Sequence, residues 1–283
     1  MSLEPAANER FVAYGSRSTT PAGSRESRKD VSVFDRKFPR WLSTFQVPHS
    51  YFSHFYVVST ISQAFWLYQL LSHGALLHYL CLGAQGHDEA PSMTIEQVLL
   101  TWALLTIQGI RRLSETYALA KPSKASMWIG HWLLGIGFYV SLSMAIWVEG
   151  APTLIRERDI VGKVVVTAPS LKTLFSIPLF LIASGIEHDC HAYLASLPKY
   201  SLPEHPIFKI FVCPHYVAEI LIYVSLAIVS GPRGALVNRT MLTTLVFVST
   251  NLLITASNTK SWYEERYGPD SVAQRWLILP GIW

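Results

Sequence analysis

Histidines, arginines and carboxylates recur in this chain at short spacings where long apolar runs begin or end. His49 and His54 open one run, Arg111, Arg112 and Glu115 close a second, and His188 and His191 follow a third. His215 and Glu219 open a fourth, and Lys260 and Tyr263 follow a fifth. An imidazole titrates near neutrality and can donate to, or protonate, a reacting oxygen. His54 is therefore the first candidate for a hydrogen-bond donor at a polarised substrate atom, with Tyr56 and Tyr51 as phenolic alternatives. Guanidinium groups hold phosphate by paired hydrogen bonds, which makes Arg111 and Arg112 candidates for cofactor phosphates. Glu115 stands four positions after Arg111, close enough on a helix to orient it. His215 and Glu219 are also four apart and share one helix face. Lys199, Lys260 and Arg275 are further cations for phosphate. His188 and His191 lack a third ligand at suitable spacing, so no metal centre is expected.

The elements that must carry these groups are apolar. Hydrophobic residues fill 50% of the 283 positions and charged residues only 15%, whereas soluble domains usually carry about 25% charged residues. Mean hydropathy is +0.28 over the whole chain. Six apolar segments are predicted, at residues 51–80, 93–111, 127–148, 171–186, 213–229 and 241 to about 257. Several approach the roughly 20 residues that a membrane-spanning helix needs. The expected fold class is all-α, a polytopic membrane helix bundle of about six transmembrane helices.

Lysine and arginine near the segment ends set the orientation. Arg36, Lys37 and Arg40 precede the first segment, while Asp88 and Glu89 mark an acidic loop on the far side. Arg111, Arg112, Lys121 and Lys124 follow the second segment, Lys199 and Lys209 follow the fourth, and Lys260, Arg266 and Arg275 follow the sixth. Both termini are then cytosolic, and the candidate reactive groups gather at the cytosolic face. Ionisable groups at membrane depth are costly and usually face a protein interior or a wet cavity. Snorkelling explains Lys121, Lys124 and Lys209. It does not explain Glu219, which lies about a turn inside an apolar helix.

Residues 1–40 read as a polar cytosolic segment, partly disordered and without a cleavable signal, and residues 41–283 as a membrane-embedded domain. Cys81, Cys190 and Cys213 show no paired spacing and imply no disulfide framework. No Gly-x-Gly-x-x-Gly sequence occurs, which excludes a Rossmann domain; a nucleotide site would have to be built from helix ends and loops. No nucleic-acid partner is expected, and oligomeric state is left open. Asn238-Arg239-Thr240 forms a glycosylation sequon, but it sits hard against the membrane and is expected to be unmodified.

At these same positions the chain resembles the steroid 5α-reductase family, and within it the polyprenol reductase branch. Val47-Pro48-His49-Ser50-Tyr51-Phe52-Ser53-His54-Phe55-Tyr56 looks like that branch's entry to a membrane helix. Arg111-Arg112-Leu113-x-Glu115 and Cys190-His191-x-Tyr193-Leu194 match two further motifs. Pro214-His215-Tyr216-x-Ala218-Glu219 is the most specific block, and the stretch from Asn251 through Trp262-Tyr263 to Trp283 is similar to the family ending. The likeness covers about residues 11–283.

The resemblance implies NADPH bound between helices near the cytosolic face of the endoplasmic reticulum membrane. It implies reduction of the α-unsaturated isoprene unit of a polyprenoid lipid substrate, on the way to dolichol for protein N-glycosylation. Glu219, with His215, would meet the nicotinamide end, and His191, Asn251 and Tyr263 would be cofactor contacts. Lys260 stands where the family carries a histidine, and Pro198 where it carries a basic residue, with Lys199 as the substitute. Phe55 and Gly109 occupy the positions of the glutamate and tyrosine used by the steroid-reducing branch, so that pair is not carried over. The family's usual first helix has no counterpart before Tyr14-Gly15.

Hydride addition to a carbon–carbon double bond needs an electron sink, which a conjugated aldehyde offers and an allylic alcohol does not. The aldehyde is therefore the expected substrate. Three other readings stay open: a transporter, a non-catalytic family member, and a reductase of another unsaturated lipid such as a steroid or enoyl thioester.

Overall fold

The computed structural model describes residues 44–83, 92–121, 125–156 and 168–281. The expected polar segment at 1–40, the acidic loop with Asp88 and Glu89, and Lys124 lie outside the described residues.

The described residues are mostly helical, with one small two-stranded sheet among them. Strand β1 (Gln46–Pro48) leads through a 3₁₀ turn (His49–Phe52) into α1 (Ser53–Leu71), followed by α2 (Ala75–Gly83) and α3 (Ile95–Ala118). Strand β2 (Ser126–Trp128) enters α4 (Ile129–Arg156), and α5 (Leu171–Ser196), α6 (Pro206–Ile210), α7 (Pro214–Val229) and α8 (Arg239–Tyr267) complete the bundle. β1 and β2 pair antiparallel with Val47 opposite Met127. The His49 N–H extends this ladder by donating to Ala125 O at 2.9 Å. The sheet thereby ties the start of α1 to the start of α4. Burial there pushes the His49 imidazole below its ordinary pKa.

Local chemistry sets the helix starts. Thr94 and Gln97 form a reciprocal capping box at α3, satisfying two N–H groups at once. Ser170 caps α5 by accepting from the Thr173 N–H at 3.2 Å, and Asn238 caps α8 by accepting from the Met241 N–H at 3.1 Å. Pro214 opens α7 at a position where its missing N–H costs nothing.

The helices depart from the apolar segments in two ways. The first segment is broken into α1 and α2 at Ser72–Gly74, where His73 takes a positive φ of 50°, a region that ordinary residues visit rarely. In addition, α3, α5 and α8 run on past the apolar stretches to Ala118, Ser196 and Tyr267. Their last turns therefore carry the charged residues as parts of rigid helices.

Two helices, Ile129–Leu154 and Arg239–Tyr267, are long and apolar enough to cross a membrane, and α7 is a shorter apolar helix. Only 17% of the most apolar window of each long helix is buried within the protein. A core helix of a soluble protein would hide far more. Ile61, Leu134, Leu181 and Val246 are likewise more than half exposed.

Packing is most extensive between α5 and α7, and α1 packs on both α3 and α4. Small residues permit the closest approaches. A Cβ on Gly109 would come 3.1 Å from Ser59 Oγ, and one on Gly135 would come 2.6 Å from the Phe55 ring. These contacts draw α1 against the polar ends of α3 and α4.

Candidate active site: a closed ring of buried charge

The last turns of α3 and α5 bring four charged side chains into a ring of alternating sign. Arg111 Nη1 donates to Glu115 Oε1, and Arg111 Nη2 donates to Glu187 Oε2 at 2.5 Å. Arg112 Nη1 donates to Glu115 Oε2 at 2.5 Å, and Arg112 Nε stands 3.3 Å from Glu187 Oε1. Gln108 bridges within the ring, donating to Glu187 Oε2 and accepting from Arg111 Nη2, each at 3.0 Å. Glu115 is also approached by His188 Nδ1 at 2.8 Å and His191 Nδ1 at 3.0 Å. Four groups on one carboxylate match its roughly four lone-pair sites, so Glu115 has no capacity left for a ligand.

Arg112 ties the ring to α1. Its Nη2 donates to Tyr56 Oη at 2.9 Å, and its guanidinium lies 5.0 Å from the Tyr56 ring centroid. Tyr56 is buried against Phe52 and Tyr139. Tyr56, Tyr139, Tyr223 and Arg112 all lie within electrostatic reach of Glu219 on α7. Glu219 is half-buried, and among the described residues no group donates a hydrogen bond to it. One turn before it, the His215 ring lies tilted against His191 and Tyr216, with centroids 5.4 Å and 4.3 Å away.

The remaining sequence candidates fall elsewhere. His54 packs its ring on Tyr51 at 4.4 Å and Trp132 at 6.1 Å, and among the described residues it makes no contact with the ionic ring. Lys260 and Arg275 are buried, and Tyr263 belongs to an apolar cluster with Val212, Val272 and Ile278. There Lys260 Nζ donates to Arg275 O at 3.1 Å and Arg275 Nη1 donates to Pro203 O at 3.0 Å. Among the described residues neither cation is paired with a carboxylate. Burial lowers the Arg275 pKa, with Tyr263 and Glu204 acting against the shift. Lys199 and Asn251 are exposed. His188 and His191 both approach Glu115, and no group of three or more candidate metal ligands occurs among the described residues.

Sequence reasoning missed Glu187 and Gln108. The signals were present: Glu187 stands four positions before His191, and Gln108 three before Arg111. Ending the fourth segment at residue 186 left Glu187 outside every motif.

Paired charges at the ends of apolar helices, beside an acceptor that lacks a donor, define a helical, membrane-type protein with an internal polar site. Residues 163–283 match the family model described as 3-oxo-5-alpha-steroid 4-dehydrogenase. The chain is 30% identical over 273 residues to polyprenal reductase of Saccharomyces cerevisiae, covering 96% of this chain and 85% of that protein. It is 26% identical over 250 residues to polyprenal reductase of Xenopus laevis, covering 81% and 76%. Against polyprenal reductase of Homo sapiens it is 28% identical over 215 residues, covering 68% and 66%. The chain belongs to the steroid 5α-reductase family, oxidoreductases acting on carbon–carbon double bonds.

Proposed function

We propose that this chain reduces the α-isoprene double bond of a polyprenal with NADPH, a step toward dolichol and protein N-glycosylation, in the endoplasmic reticulum membrane. The observation that carries this reading is the 30% identity to yeast polyprenal reductase along nearly the whole chain. The residues also fit the cofactor. Glu219, an acceptor with no donor among the described residues, suits the carboxamide amine of the nicotinamide, with His215 beside it. Lys260 and Arg275, buried cations that among the described residues donate to backbone carbonyls, suit the phosphates, with Tyr263 flanking and Lys199 and Asn251 at the rim.

Arg111, Arg112, Glu115 and His191 take a different part from the one expected of them. The terminal nitrogens of both arginines are engaged by Glu115, Glu187, Gln108 and Tyr56, so these residues are read as shaping the site rather than holding phosphate. The helices cross the membrane about six times with both termini cytosolic, and the ring lies at the cytosolic face.

When bound, the dinucleotide supplies the hydride that adds to the β carbon of the enal. Negative charge then develops on the aldehyde oxygen, and a preorganised donor there lowers the barrier. Tyr56 is that donor in preference to His54. Arg112 already donates to its oxygen, so the phenolic hydrogen is left to point at substrate. A proton completes the reaction at the α carbon. The apolar helices around the site exclude water and leave the carbonyl no competing donor.

The test is NADPH consumption by purified protein in detergent with polyprenal, polyprenol and an enone steroid. Turnover of polyprenal alone is expected, lost in Tyr56→Phe and largely kept in His54→Ala. No turnover of polyprenal, or faster turnover of the steroid, overturns the assignment.

A further inference from the structure

Glu187 is the most completely buried charged side chain among the described residues, with 0% exposure. It is closed off from solvent by the groups around it. A buried ion pair is weak as a stabilising device, because desolvation offsets most of its attraction, so a role beyond stability is worth seeking. One Glu187 oxygen is held by Arg111 Nη2 and Gln108 Nε2. The other faces Arg112 Nε at 3.3 Å without completing a hydrogen bond. Arg112 presents its donors in a rigid planar fork. With Nη1 fixed on Glu115 and the Nε edge facing Glu187, the direction of Nη2 is fixed as well, and Nη2 is the atom that meets Tyr56 Oη at 2.9 Å.

Resting on the reading of Tyr56 as carbonyl donor, we infer that Glu187 is a positioning residue: through Arg112 it fixes the Tyr56 hydroxyl so that its hydrogen faces the substrate carbonyl oxygen. Arg112 occupies a lone pair of Oη, and this leaves the phenolic O–H free to donate. Loss of the Glu187 contact lets the guanidinium swing, and the phenol then loses its fixed rotamer. No charge need change at Tyr56 for this to slow the reaction, because misplacement alone is costly.

The test combines a mutant cycle with a readout that needs no turnover. Glu187→Asp keeps the charge and withdraws the carboxylate by one methylene, so it tests geometry even if Glu187→Gln fails to fold. Tyr56→Phe is expected to lower kcat about 100-fold and Glu187→Asp about tenfold. The double variant is expected to fall no lower than Tyr56→Phe alone. NADPH affinity, read from its fluorescence without lipid, should stay within about threefold in both single variants.

The second readout is the infrared carbonyl stretch of the saturated aldehyde product bound with NADP⁺. It should lie below its value in detergent alone, and it should return toward that value in Tyr56→Phe and in Glu187→Asp. Additive kcat losses, a tenfold loss of NADPH affinity in Glu187→Asp, or an unshifted carbonyl in the unsubstituted protein would each overturn the inference. If the unsubstituted protein turns over polyprenal but its carbonyl is unshifted, only this inference fails. If it does not turn over polyprenal, the functional reading fails.

Discussion

Two groups of cations withdrawn from solvent, one partly buried and one buried, are held in opposite ways in this protein. Arg111 and Arg112 are closed into a ring with Glu115 and Glu187, so their charge is cancelled by protein groups. Lys260 and Arg275 are buried, yet among the described residues their partners are the backbone carbonyls of Arg275 and Pro203. A buried charge is costly unless it is paired. The ring meets that requirement internally and can serve as fixed scaffolding. The second pair does not, and a bound anion would complete it. Residue type alone makes all four look like phosphate ligands; the difference lies in what surrounds them.

Breaking the ring should give the largest effect on stability. Arg112→Ala leaves two buried carboxylates with one guanidinium, and thermal unfolding in detergent should show a loss of about 3–5 kcal/mol. A loss under about 1 kcal/mol would mean that the ring is solvated and the contrast false. Next come the unpaired cations. Lys260→Ala and Arg275→Ala should each raise the NADPH Kd about 10- to 100-fold, the range for losing one charge-assisted hydrogen bond. Arg111→Lys should leave that Kd within about threefold. Equal effects in all three variants would show that both groups serve the cofactor.

A smaller effect is expected at the opposite end of α5. Lys172 Nζ donates to Gly231 O at 2.8 Å, to Pro232 O at 3.0 Å and to Ala235 O. Lys172→Met should cost about 1–2 kcal/mol of stability and leave kcat unchanged. A fall in kcat would extend the catalytic region well beyond the two groups compared above. The smallest effect is at Asn238, which is 1% exposed and caps α8. Asn238→Ala should cost about 1 kcal/mol, and endoglycosidase treatment of the unsubstituted protein should leave its gel mobility unchanged.

Several features of the site are readable in the sequence for a local reason. Arg111 and Glu115 are four apart and Arg112 and Glu115 three apart, so any helix through them makes those pairs. His215 and Glu219 share a face for the same reason. Glu187 was hidden because apolar-run analysis ends a segment at its first charge, whereas α5 continues for ten residues beyond Ile186, to Ser196. His54 attracted attention by residue type, but the sequence alone does not say which side of α1 faces the ring. Tyr56, two positions further on, faces it instead, accepting from Arg112 Nη2.

The sequence by itself determined the apolar segments, their helical character and the family, because each depends on composition, short spacing or motif order. Only the tertiary structure decided the partners. Tyr56 and Arg112 are 56 positions apart and Arg111 and Glu187 are 76 apart. Whether a buried arginine is neutralised by a distant carboxylate or waits for a ligand depends on which helix faces it. That is fixed by packing across the bundle, where close approach and charge cancellation must be satisfied together.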